Sequence, residues 1–111
     1  MDLKYLYERV CMKAPIGQDR FLAAVNYTLR ELVSLYGEPF VQQQGPARVL
    51  TGMNADPGLY EDYEDALYDN VMYFATGDGN WKTDFVAHAQ YAYHNVWRRK
   101  TKGKRIGKEA W

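Results

Sequence analysis

Apolar positions along this chain return at the three-and-four spacing of helices. Leu3, Leu6, Tyr7 and Val10 share one side of a short first helix, which must end before Pro15 because a proline ring cannot continue it. The stretch "GQDRFLAAVNYTLRELVSLYG" is the clearest helix: Phe21, Leu22, Val25, Leu29, Leu32, Val33 and Tyr36 form one broad stripe. Arg20, Ala23, Asn26, Tyr27, Arg30 and Ser34 lie opposite. Asp19 suits the positive end of the helix dipole, and Gly37 is a natural stop. In "LYEDYEDALYDNVMYF", Tyr60, Tyr63, Leu67, Val71 and Phe74 make a third stripe, with Glu61, Asp62, Asp65 and Asp69 around the opposite side. "WKTDFVAHAQYAYHNVWRRK" is the fourth helix, its buried side being Phe85, Ala89, Ala92, Tyr93, Val96 and Trp97. Arg98, Arg99 and Lys100 suit its negative end.

Two segments break this pattern. Residues 37–58 carry three prolines and four glycines. Such a length is unusual for a structureless connection, so the segment reads as an extended functional loop or as a holder of short strands. "PFVQQ" and "ARVLTGM" can pair there as a weak hairpin around Gln44, Gly45 and Pro46. The last residues, "TKGKRIGKEAW", have two glycines, many charges and no periodicity, which predicts a flexible arm. The expected architecture is all-α: a small four-helix bundle over residues 1–99, with the long Gly/Pro-rich loop between the second and third helices, and a basic arm over 100–111.

Composition narrows the function more by exclusion than by assignment. At 111 residues this is one domain, with equal numbers of acids and bases and therefore no global field steering it to DNA or membrane. The charges are unevenly spread, however. Between Asp56 and Asp69 there are six acids and no base, and from Arg98 to Trp111 seven bases against Glu109 alone. That polarity favours head-to-tail contact between copies, or an acidic body with a basic arm. A single cysteine, Cys11, excludes an internal disulfide and fits a reducing compartment. "MDLKYLYERV" lacks the apolar region of a signal peptide, and no apolar run is long enough to span a bilayer, so a cytosolic origin and no membrane partner are expected.

Candidate chemistry is sparse. A metal site needs convergent ligands, whereas the acids of the third helix point outward over two turns, so they read as a solvated face or a charged contact surface. The spacing of Asp78, Asn80 and Asp84 is not a calcium loop, because Thr83 stands where glycine is needed and Ala89 where the bidentate Glu is needed. Asp78 or Asn80 instead reads as a helix cap. His88 follows Asp84 by four residues, a local helix-surface pair with no nucleophile beside it. No Gly-rich phosphate loop, HExxH, CxxC or GxSxG occurs. Neither an enzyme nor a cofactor or metal protein is expected.

Tyrosine is more informative. Tyr27, Tyr68, Tyr73 and Tyr91 lie off the apolar stripes, and such rings enrich interfaces. With Arg30 and the acids Glu61, Asp62, Asp65 and Asp69 they are the candidate subunit-interface residues. The arm combines Arg98, Arg99, Lys100, Lys102, Lys104, Arg105 and Lys108 with the apolar anchors Ile106 and Trp111. A basic tail can contact nucleic-acid phosphates, but spaced apolar anchors favour a groove in a protein partner.

"DRFLAAVNYTLRELVSLYG", "YEDALYDNVMYFATGD" and "TDFVAHAQYAYHNVWR" together resemble the helices of the small head–tail connector (adaptor, head-completion) proteins of tailed bacteriophages. The resemblance covers roughly residues 18–99 and lies in the order of helices and aromatic positions rather than in a chemical motif. It implies a virion structural protein of the neck, made in the host bacterial cytoplasm. Such a protein forms a ring, commonly of about twelve copies, beneath the portal. It would extend the channel for double-stranded DNA without sequence specificity and dock the tail or a stopper protein. The resemblance maps residues 98–111 onto an arm that engages the portal protein, and turns residues 37–58 toward a neighbour or the channel. The acidic third helix matches no feature of that family. The competing readings are a small DNA-binding regulator using the basic arm, against which stands the lack of a basic reading face on any helix, and a generic helical interaction module.

Overall fold

The computed structural model describes residues 2–43 and 49–102. The protein is all-α, with helices α1 (Leu3–Cys11), α2 (Gln18–Tyr36), α3 (Glu38–Val41), α4 (Glu64–Thr76) and α5 (Gly79–Thr101), and a 3-10 turn at Glu61–Tyr63 leading into α4. The Asp2 carboxylate caps α1 by accepting from the Lys4 amide at 2.9 Å. After Pro15 the chain is tied back, since the Tyr7 hydroxyl donates to the Ile16 carbonyl at 2.8 Å. Gly37, at φ 89°, ends α2 and begins α3, a turn for which a side chain would be strained. Gly77, at φ 74°, closes α4 in the left-handed conformation, and Asp78 then caps α5 by accepting from the Asn80 amide.

The stripes on α1, α2 and α5 fall where the periodicity puts them. Leu3, Leu6 and Val10, then Phe21, Val25, Leu29 and Leu32, then Phe85, Ala89, Ala92 and Val96 are all buried. Tyr93 is only partly covered, and Trp97, expected inside, is 44% exposed. Trp97 sits in the last two turns of α5, which ends at Thr101.

The third helix departs from expectation. Seven consecutive residues of α4, Ala66 through Met72, are buried. It does not have one wet side and one apolar side, because α1, α2 and α5 all pack against it. Two of its buried residues, Asp69 and Asn70, are polar and must find partners inside. Asp69, placed by periodicity on a solvated face, therefore lies in the interior.

The long connection is neither free loop nor hairpin among the described residues. Phe40 and Val41 belong to the single turn of α3, and Gln42 forms an isolated antiparallel bridge with Leu59 instead of a ladder with Val49–Met53. The Gln43 amide donates to the Gly58 carbonyl at 2.7 Å and the Tyr60 amide to Val41 at 3.1 Å. Asn26 holds the middle of the connection: its side chain donates to the Leu50 carbonyl at 2.9 Å and accepts from the Leu50 amide at 2.7 Å. Leu50, Pro57 and Leu59 are buried as a result. The proposed turn at Gln44, Gly45 and Pro46 lies outside the described residues.

Candidate interaction surfaces

The interior polar groups of α2, α4 and α5 form one closed network. The Asn70 amide nitrogen donates to the Thr28 hydroxyl at 2.8 Å and to Glu31 Oε1 at 3.2 Å. Its carbonyl oxygen accepts from Lys82 Nζ at 3.1 Å, and Lys82 also donates to both Glu31 oxygens at 2.9 and 2.7 Å. The Thr28 hydroxyl in turn donates a hydrogen bond to the Ala24 carbonyl at 2.8 Å. The ammonium of Lys82 lies 4.6 Å from the centre of the Phe85 ring. Both amide hydrogens of Asn70 and its carbonyl oxygen have partners, so these groups form a clasp between α2, α4 and α5.

His88 is not partnered as the sequence spacing suggested. Its Nδ1 is bonded to Asp69 of α4, across the helix interface, rather than to Asp84 one turn away. Burial pushes the Asp69 carboxyl above the usual carboxylate range, against the pull of His88. The same bond, aided by the charges of Asp69, Asp65 and Asp84, raises the His88 imidazole above its ordinary value. The His88 side chain is half exposed, and Asp69 closes the pair from within.

The other expected contact residues separate into three groups. Tyr68, expected at the surface, is buried within the chain, packed edge-on against Trp81 at 5.7 Å with the Arg9 guanidinium 4.1 Å over its ring. Tyr73 is partly covered, tilted against Phe74 and 5.7 Å from the Lys82 ammonium. Tyr27, Arg30 and Tyr91 stand outward on α2 and α5, Tyr27 at 47% and Tyr91 at 69% exposure. Of the acids, Glu61 is exposed, and Asp65 is exposed with Arg9 at 3.8 Å. Asp62 receives the two guanidinium nitrogens of Arg99 at 2.6 and 3.0 Å, which hold its carboxyl below the usual range.

Arg98, Arg99 and Lys100 are helical, not part of an arm: α5 runs to Thr101. Arg98 donates to Asn95 at 2.7 Å, and Lys100 reaches the Tyr60 hydroxyl at 3.4 Å. With Gln43 and Glu61, the Tyr60, Asp62 and Arg99 side chains line an open polar hollow of about 650 Å³. Lys102 is exposed just past the helix, while Lys104, Arg105, Ile106, Lys108 and Trp111 lie outside the described residues.

One feature had no signal in the sequence. Between α2 and the end of α4, Ala23, Ala24, Tyr27 and Phe74 form the floor of a groove of about 350 Å³, flanked by Arg20 and Arg30. The Tyr27 and Phe74 rings meet edge to face at 5.0 Å. Two adjacent alanines on a helix read as spacers, and only the approach of Phe74 from another helix turns them into a hollow. A second hollow of about 300 Å³ lies on the other side of Tyr27 and Arg30, against Glu31, Ser34 and Leu35. No group of three or more His, Cys, Asp or Glu side chains able to hold a metal occurs among the described residues. No helix among them is long and apolar enough to cross a membrane. No family model matches the chain, and neither a curated protein nor a solved structure does.

Proposed function

We propose that this chain is a structural assembly subunit of the phage head–tail connector kind, a four-helix bundle that joins copies of itself into a ring beneath a portal. The observation that carries the reading is how the polar side chains are divided. Thr28, Glu31, Asn70 and Lys82 are consumed in holding three helices together, and Asp69 with His88 clasps α4 to α5. The outward aromatic and basic groups, Tyr27 and Arg30 on α2 and Tyr91 and Trp97 on α5, are left at the surface. An interior spent on rigidity and an exterior bearing aromatic anchors suit a module that binds other proteins. In this reading residues 103–111 engage the portal, the opposite end meets the tail or stopper protein, and DNA passes without being read.

The reading is tested by tagging the protein in its native lysate and sedimenting that lysate. Co-sedimentation with nuclease-resistant, virion-sized particles is expected. Recovery of all the tagged protein in the light fraction, while mature particles sediment, would remove the connector reading.

A further inference from the structure

The α2 groove has an apolar floor and a cationic rim. Ala23 and Ala24 leave room, Tyr27 and Phe74 supply ring surface, and Arg20 and Arg30 are both exposed beside them. It therefore fits an aromatic side chain with acidic groups next to it.

The outer face of α5 carries that combination. Tyr91 is the most exposed ring on the helix, at 69%. Asp84 and Ala87, seven and four residues before it, lie on the same stripe and are also exposed. Asp65 of α4 is already paired with Arg9 at 3.8 Å, so Asp84 is the carboxylate this face offers a partner. Ala87 and the half-exposed His88, which is bonded to Asp69, stand between the acid and the ring, so a partner surface closing over both also covers His88.

We infer that the Asp84–Tyr91 face of α5 on one copy docks into the Arg20–Arg30 groove of α2 on the next copy. This rests on the reading of the chain as a self-assembling subunit and names the surfaces that meet. The occupant is a second copy because this one chain carries both halves of an ion pair beside apolar surface, Arg20 and Arg30 at the groove and Asp84 beside Tyr91 on α5. The two surfaces differ, so the contact is heterologous and passes from copy to copy instead of ending at a pair. Tyr91 fills the groove floor, Asp84 meets Arg30 or Arg20, and the contact weakens with salt.

The test is a charge swap on the full chain, read by sedimentation velocity across a concentration series at low and moderate salt. Arg30→Glu and Asp84→Arg are each expected to weaken self-association at least about tenfold, as expected for reversing a close interfacial charge pair. Their circular dichroism should be unchanged, because both residues are exposed. An equimolar mixture of the two single variants, and a chain carrying both reversals, should recover association. Single reversals that associate like the parent would overturn the docking, as would a mixture no better than its parts or a parent chain that stays monomeric throughout. The lysate experiment separates the two proposals. Particle-bound protein whose association ignores the swap removes only the docking, and swap-dependent association in a protein absent from particles removes only the connector reading.

Discussion

Asp69 and Asn70 are adjacent polar residues buried in the same helix, and they are neutralised in different ways. Asn70 is satisfied by neutral and charged partners from both neighbouring helices. Replacing it with leucine keeps the volume but strips Lys82 and Glu31 of a shared partner. The expected cost is about 1–3 kcal/mol, read as a lower urea midpoint with an unchanged slope. Asp69 depends on His88, and that dependence has a pH sign. The folded His88 pKa is raised above its unfolded value, so its stabilisation is complete below about pH 6.5 and is lost as pH rises through the folded value. The raised Asp69 pKa acts in the same direction at lower pH, because the folded state holds its proton longer than the unfolded state does. Tm should therefore fall as pH rises above about 6.5, the ordinary histidine value, and His88→Gln should flatten that slope. An equal slope in the variant would show that the pair does not control it. Asp62 has the opposite sign: its lowered pKa stabilises above about pH 4 and is lost on acidification.

At the scale of elements, α4 is the helix the others are built around. The burial of its central residues, Ala66–Met72, requires close neighbours, and α5 meets that requirement with Ala89 and Ala92, both fully buried between Phe85 and Val96. Ala89→Leu adds volume where there is no space and should cost about 1–3 kcal/mol, seen as a lower Tm with helix content retained. The turn between α4 and α5 depends on Gly77 at φ 74°, with open space where a Cβ would stand. Gly77→Ala should therefore lose about 1 kcal/mol through backbone strain alone, without a clash. A Tm equal to the parent's would contradict the left-handed cap. The long connection is similarly held at a few points, chiefly the Asn26 bonds to Leu50 and the bridge from Gln42 to Leu59.

At the scale of the molecule, the core runs from Leu3 to Val96 and is made by α1, α2, α4 and α5 with anchors from the connection. The helical boundary falls after Thr101, not before Lys100, since Arg99 and Lys100 contact Asp62 and Tyr60. If residues 103–111 engage the portal, a chain truncated after Lys102 should disappear from the particle fraction. Normal recovery in particles would remove their assigned role.

Periodicity made the all-α class and the inward stripes of α1, α2 and α5 readable, because a helix covered on one side leaves an apolar pattern with a period of 3.6 residues. The cap at Asp78, the stop at Gly37 and the stop before Pro15 were readable for the same local reason: they involve residues within one turn. The burial of Ala66–Met72 on α4 was not readable, because a buried acid next to a buried amide looks like a solvated face until a neighbouring helix supplies His88 and Lys82. The α2 groove and the pairing of Asp62 with Arg99 likewise join residues far apart in the chain. Local chemistry along the backbone set the helices and their ends, whereas partners brought from other helices determined which polar residues became interior clasps and which remained available at the surface.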